Sequence, residues 1–401
     1  MSEIERRMVE IDDYYDHLLN HTDNASKVKP SVKLQDWGIN AYDGWAQPIE
    51  WLIEPIIPRY TSGILAASGG LGKSYLCLDA CVRIAAGPGM VHQRAMGGRV
   101  ARQGKTVMIT AEDSRAAIHR RINQIINPDE HRKLEGQFFM VPLPDAGGTQ
   151  AYLECVGGQY RMTAAWEDMC SEIIKIEPEF VCIDPLQAVM QADANDPAAG
   201  QAWWSNMSQL SAEAKTASLT THHMRKDGNI DGIASARAAI RGSSSLTDGA
   251  RLAMALWPAS TDDRLAAEAA LKEPLGALGL IQGGVVKSNE YSMGEVATYL
   301  RDPASGLLLD ATELLKEALE QASTLSPDAL DETVTEANRR WAVDQPFSKA
   351  VQSERWVGAW MMGQFGCTRA VAVAHIKEWL FKGYLFQEMC KPIRRNGLKG
   401  H

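Results

Sequence analysis

From Tyr60 onward, short apolar runs alternate with longer stretches of mixed polarity. The runs are SGILAAS (62–68), TVMITAE (106–112), FFMVPL (138–143), FVCIDP (180–185), SLTTHH (218–223) and RLAMALWP (251–258). Helical spacing marks 73–86, 115–126, 163–176 and 198–214 between them. A strand that is apolar at every position is buried on both faces, which requires helices above and below it. The pattern therefore predicts a doubly wound α/β fold with a mainly parallel sheet and flanking helices. Residues 279–291 and 298–310 then read as a late antiparallel hairpin pair.

The ends of the chain follow a different pattern. Residues 1–40 form a polar, partly helical leader. Trp37, Trp45 and Trp51 stand among prolines and read as an irregular lead-in that packs onto the next domain. The main domain is expected over 41–310, an acidic Ser/Thr-rich linker over 311–337, and a compact unit over 338–401. Two helices followed by a hairpin with a basic turn predict a small C-terminal winged helix-turn-helix domain. Ala259–Leu275 is Ala/Glu-rich and reads as an insertion. MRKDGNIDGIASARAAIRGSSSL, after the double histidine, reads as a mobile loop.

Composition narrows the class. The 401 residues are 45% apolar and 23% charged, ordinary for a globular protein. No apolar run nears the roughly 20 residues of a membrane span. The charged N-terminus lacks a signal-peptide core. A soluble, cytoplasmic protein without a membrane partner is expected. The seven cysteines form no C-x-x-C pair and no zinc spacing, and are expected mostly as small core hydrophobes. From Arg339 onward, eleven Lys+Arg face four Asp+Glu, a net +7. That leaves −16 for the rest of a chain whose total is −9. Contact with a polyanion is therefore expected to be local to the basic tail.

The candidate chemistry begins at Ala67–Ser74, A-S-G-G-L-G-K-S. Gly69, Gly70 and Gly72 let backbone N–H groups turn inward at the start of a helix. Such a loop holds nucleotide phosphates along Gly69, Gly70, Leu71, Gly72, Lys73, Ser74 and Tyr75. Lys73 reaches the β- and γ-phosphates and Ser74 ligates Mg²⁺. Asp184, at the tip of an apolar strand, is placed to hold the metal through water. Glu112 or Asp113, at another strand tip, can orient the attacking water, or the pair can cap the following helix. His222 and His223 end a further strand. Adjacent strand residues point to opposite faces, so one of them faces the site. Arg241 and Lys287 are placed to act on a neighbouring subunit's phosphate, as an arginine finger does.

Together these pieces resemble the RepA-type hexameric replicative helicases of plasmids, an AAA_25-like group within the RecA/DnaB-like P-loop ATPases. The resemblance rests on SGILAASGGLGKSYLCLDACVRIAAG, VMITAEDSRAAIHRRI, VCIDPL, LTTHHMRK, IRGSSSLTDGARLAM and VVKSNEY, in that order. It implies a RecA-like sheet, ATP and Mg²⁺ as cofactors, and a hexameric ring with its sites between subunits. It also implies Glu112 as catalytic base, Asp184 on the metal, His222 as sensor, and Arg241 with Lys287 as cations in trans. Arg225 and Lys226 would face single-stranded DNA in the channel. The C-terminal module could add a duplex contact through Arg369, Lys377, Lys382, Arg394 and Arg395. The function expected is an ATP-driven DNA helicase of a plasmid, phage or prophage. The alternative is an ATP-dependent initiator or regulator that assembles on DNA without unwinding it.

Overall fold

The computed structural model describes residues 33–87, 93–225, 230, 232–240, 244–291, 295–323, 325, 328–367, 369–390 and 395–400. The chain divides into two units, Met1–Pro48 and Ile49–His401. In the first, the described residues form two short 3-10 helices, Leu34–Trp37 and Ile39–Tyr42, with no buried residue in either.

The second unit is built on a nine-stranded sheet. Its strands are β1 (Ser62–Ala67), β2 (Thr106–Thr110), β3 (Phe138–Pro142), β4 (Phe180–Asp184), β5 (Ala217–His223), β6 (Leu252–Pro258), β7 (Leu280–Ser288), β8 (Ala297–Arg301) and β9 (Leu308–Asp310). They lie in the order β9-β8-β7-β6-β1-β5-β4-β2-β3. From β6 to β3 all neighbours are parallel, and β7, β8 and β9 complete the sheet antiparallel. This is the doubly wound, mainly parallel α/β sheet that the apolar runs predict. β1 lies at its centre, fully buried along its length. Gly63 lets β6 approach there, since a Cβ would stand 2.9 Å from the Leu252 carbonyl oxygen.

Strand alternation sends side chains into two separate cores. Leu65, Met108, Cys182 and Leu219 pack with α1 (Lys73–Ala86) through Leu76, Cys77 and Cys81. Ile122 and Ile125 of α2 (Arg115–Ile125) border this layer. Ile64, Val107, Ile109, Val181 and Ile183 point the other way. They meet α3 (Ala164–Ile176) through Trp166, and α4 (Pro197–Glu213) through Trp203 and Met207. Cys77, Cys81, Cys182 and Cys367 are buried as expected, whereas Cys155 is exposed on a hairpin.

Two sequence expectations are corrected. The lead-in before β1 is not irregular throughout. Trp51–Glu54 and Ile57–Pro58 join Arg94–Ala95 and Gly98–Val100 in a four-stranded sheet, with Leu52 and Ile53 wholly buried. The segment after the double histidine is not simply a loop either. It carries α5 (Ile233–Ala239) and α6 (Ser244–Gly249), with Ala236 and Leu246 buried against the α4 layer. The indole N–H of Trp204 donates to the Leu246 carbonyl at 2.8 Å and fixes α6 to α4.

After β6 comes α7 (Thr261–Leu271), capped by the Ser260 hydroxyl, with Ala267 buried. The chain continues through α8 (Thr312–Ser323), α9 (Ala329–Ala342), α10 (Val357–Phe365) and α11 (Arg369–Phe381) to a hairpin of Leu385–Cys390 and Arg395–Gly400. Ala337 of α9 shares a buried cluster with Phe347, Trp356, Met361, Trp379, Leu385 and Leu398. The closing unit therefore includes α9, which crosses the expected boundary at residue 337. Among the described residues no helix is long and apolar enough to cross a membrane.

Candidate nucleotide-hydrolysis site

The Gly-rich loop leaves β1 at Ala67 and turns into α1 at Lys73. Gly70 and Gly72 take φ of +80° and +95°, which side-chain-bearing residues resist. Gly72 is the N-cap of α1 and supplies no side-chain cap, and the first turn holds no acid. The N–H groups of that turn are thus left for an external anion. A Cβ added at Gly69 or Gly70 would meet nothing within 4 Å, so the space over the loop is open. Leu71 is buried at 3% exposure, and Ser74 and Tyr75 are half-buried.

Lys73 is the most telling residue. Its side chain is buried, with the residue 8% exposed, and it has no hydrogen bond or ion pair among the described residues. Its stem is packed, and the ammonium, with no counter-charge among the described residues, is left for a phosphate in the open cradle.

The metal side lies two strands away, across β5. The Asp184 side chain ends β4 on the α1 face, because it alternates in step with Phe180 and Cys182. Thr221 donates its hydroxyl to Asp184 Oδ1. Thr110 pairs with Asp184 in register from β2, and its buried Oγ1 has no partner. An orphaned hydroxyl beside a buried carboxylate, on the phosphate side of the sheet, suits a hydrated divalent cation. Ser74 and Asp184 would hold Mg²⁺ there, and the ion would supply charge neutralisation for the transferring phosphoryl group.

Glu112 follows β2 directly. The Ala111 N–H donates to the Asp184 carbonyl at 2.8 Å and holds the two strand tips together. The structure separates the two acids. Asp113 forms an ion pair with Arg121, whose guanidinium lies 5.2 Å from the Tyr75 ring centroid. Ser114 caps α2, accepting from the Ala117 N–H at 3.3 Å. Glu112 is exposed and has no partner among the described residues. It alone of the pair is free to orient a water.

The double histidine divides by parity. Leu219, Thr221 and His223 point to the α1 face, the face of Asp184, and His223 pairs with Ala67 at the foot of the loop. His222 is 1% exposed and points to the opposite core, beside Ala66. The sensor position chosen from the resemblance, His222, is therefore turned away from Asp184, and His223 faces it.

Lys287 does not extend from the surface. Its ammonium donates to the carbonyls of Asp248 and Ala250, each at 2.5 Å, at the C-terminal end of α6. Burial lowers its pKa, opposed by Asp248. Arg225 is exposed just after β5, and its N–H donates to Ala239 at 2.8 Å. Lys377 and Arg369 are exposed on α11, and Lys382 follows it with its ammonium 2.6 Å from Glu378. Lys226, Arg241 and Arg394 lie outside the described residues, as does the side chain of Arg395.

One side chain at the loop has no sequence motif to announce it. Arg301, at the end of β8, donates through Nη1 to the Gly70 carbonyl at 2.7 Å. Leu308 of β9 lies 3.0 Å from where a Cβ at Gly72 would stand. The hairpin of β8 and β9 thus braces the phosphate loop from the side opposite Asp184.

Two solved structures are similar in fold. The flagellar accessory protein FlaH from Methanocaldococcus jannaschii aligns at 11% identity over 63% of this chain and 90% of its own, with a TM-score of 0.38. A KaiC-like protein from Pyrococcus horikoshii aligns at 13% identity over 64% and 93%, with a TM-score of 0.40. Likeness at this level carries no statement about chemistry. No curated protein sequence matches the chain. The model of an AAA domain, AAA_25, matches residues 28–229, which is just over half of the chain and takes in the phosphate loop, Glu112, Asp184 and both histidines, so the chain belongs to the AAA_25 family of AAA domains.

Proposed function

We propose that the protein is an ATP-hydrolysing motor that works on DNA as a ring, a replicative helicase of a plasmid, phage or prophage. The observation that carries the ATPase part is the buried, unpartnered Lys73 beneath an open Gly-rich cradle, with Asp184 and Glu112 at neighbouring strand tips. Lys73 and the loop N–H groups grip the phosphates, Glu112 orients water, and His223 reports on the γ-phosphate.

The ring part is supported by the exposure of Glu112, which leaves the hydrolytic end for a neighbour to close. Arg241 falls between α5 and α6, and Lys287 anchors the end of α6. In this reading Arg241 is the finger and Lys287 holds the helix that carries it. Arg225 and Lys226 open the loop that would touch single-stranded DNA. Arg369 and Lys377 on α11 would meet duplex DNA if the closing unit works as a winged helix.

The test is strand displacement from a forked duplex with MgATP, run with the full chain. Displacement that needs hydrolysis, and falls steeply with salt, is expected. Hydrolysis on single-stranded DNA without displacement would overturn the helicase reading. Tight binding to one duplex sequence under those conditions would favour the initiator.

The histidines give a second prediction. His223→Ala is expected to lower kcat by about tenfold to a hundredfold at unchanged ATP affinity. His222→Ala is expected instead to cost about 1–3 kcal/mol of stability, because it empties a fully buried site. Rates and urea midpoints of the two variants separate the roles. A larger catalytic loss from His222→Ala would reverse the assignment.

A further inference from the structure

We propose that Arg301, together with the turn at Asp302, forms the nucleoside-side contact of the phosphate loop and decides how much of the binding energy comes from base and sugar rather than from phosphate. This rests on the ATPase reading above. It starts from the order of the strands. Asp184 and Glu112 stand at the tips of β4 and β2, on one side of β1. Hydrolysis occurs where they are, so the γ-phosphate points toward them. The nucleoside must then leave the cradle toward the other side, where β8 and β9 stand.

Arg301 is the side chain found there. Its Nη1 is committed to the Gly70 carbonyl at 2.7 Å, which fixes the guanidinium at the rim of the loop. Its other N–H groups and planar faces remain for a base edge, a base plane or a ribose oxygen. A Cβ added at Gly69 or Gly70 would meet nothing within 4 Å, so the loop is open beside this cation. The following turn is stiff. Asp302 accepts from the Ser305 N–H at 2.7 Å and from its hydroxyl, and the Gly306 N–H returns to the Asp302 carbonyl at 2.8 Å.

Tyr75, one residue beyond Ser74, stands on the first turn of α1, half-buried beside α2. Arg121 covers its ring at 5.2 Å. Burial raises the phenol pKa, Arg121 opposes the rise, and the Asp113 and Asp302 carboxylates add to it. A half-buried ring, a fixed guanidinium and a held carboxylate offer stacking and ribose hydrogen bonds at one end of a triphosphate cradle.

Isothermal titration of wild type, Arg301→Ala and Arg301→Lys separates this role from loop bracing. Each is titrated with MgATP and with magnesium tripolyphosphate, which has the phosphates and no nucleoside. Arg301→Ala is expected to weaken ATP by about tenfold to a hundredfold and to change tripolyphosphate by less than about threefold. Arg301→Lys keeps the charge and loses the plane, so it should recover only part of the ATP affinity. Equal losses for both ligands would overturn the inference and leave Arg301 as a brace of the loop. Unchanged ATP affinity in Arg301→Ala would overturn it as well. Failure of wild type to bind MgATP would overturn the ATPase reading and this inference together.

Discussion

Lys73→Ala is expected to lower ATP hydrolysis by at least about a thousandfold, roughly 4 kcal/mol of transition-state stabilisation, while the free protein melts close to wild type. Both halves follow from one fact. The Lys73 side chain is buried and has no counter-charge among the described residues. In the free protein the stem is packed while the ammonium holds no anion, so the side chain contributes little to stability beyond that packing. Alanine removes some packing of the stem and no ion pair. With nucleotide bound, the same ammonium is a short-range partner for phosphate oxygens, and alanine removes the gain. Thermal melting with and without MgADP reads the difference. At a ligand concentration a hundredfold above Kd, wild type should gain about 2.7 kcal/mol. The variant should gain almost none. Early unfolding of the variant without ligand would show that Lys73 is a structural residue with an unseen partner. Residual hydrolysis near the wild-type rate would remove it from the site.

Much of this site is legible in the sequence. Apolar runs separated by helical spacing mark a covered sheet, and six of them place most of its parallel part to within a residue or two, although Phe138–Pro142 stands at the edge and is only half-buried. The helix after the loop runs Lys73–Ala86, as its spacing predicts. That the two histidines face opposite ways is legible from strand parity alone, but which one faces the α1 side follows only once Leu219 and Thr221 are seen there. What remained hidden depends on contacts between distant segments. Trp51–Glu54 is a strand because Gly98–Val100 pairs with it, and nothing local in a Trp- and Pro-rich stretch says so. α5 carries no clear signal because its Gly and Ser neighbours dominate the pattern, while Ala236 is buried only once the α4 layer is in place. Lys287 looked like a free cation until the end of α6 came near it. Arg301 is 231 residues from Gly70 in sequence and belongs to no motif.

Glu112→Gln should separate binding from hydrolysis. It is expected to lower kcat by about a hundredfold to ten-thousandfold with ATP affinity changed less than about twofold. Glutamine keeps the length and plane of the side chain and removes its ability to take a proton from water. Asp113→Asn is the control that the structure makes informative. Asp113 is occupied by Arg121, which in turn covers Tyr75, and Ser114 already caps α2. Its loss should therefore loosen the start of α2 by about 1 kcal/mol or less and reduce kcat by under about tenfold. Single-turnover hydrolysis with each variant, after ATP binding has been measured separately, tests the division. If Asp113→Asn proved the more damaging to the chemical step, Arg121 would be acting as the acid's positioning partner rather than its neutraliser. The base would then be the second acid of the pair. If Glu112→Gln kept more than half the wild-type rate, neither the exposure of Glu112 nor its lack of a partner would mark the hydrolytic end of the site. The case for a neighbouring subunit closing over that end would lose its main structural support, since it is the open position of Glu112 that calls for one.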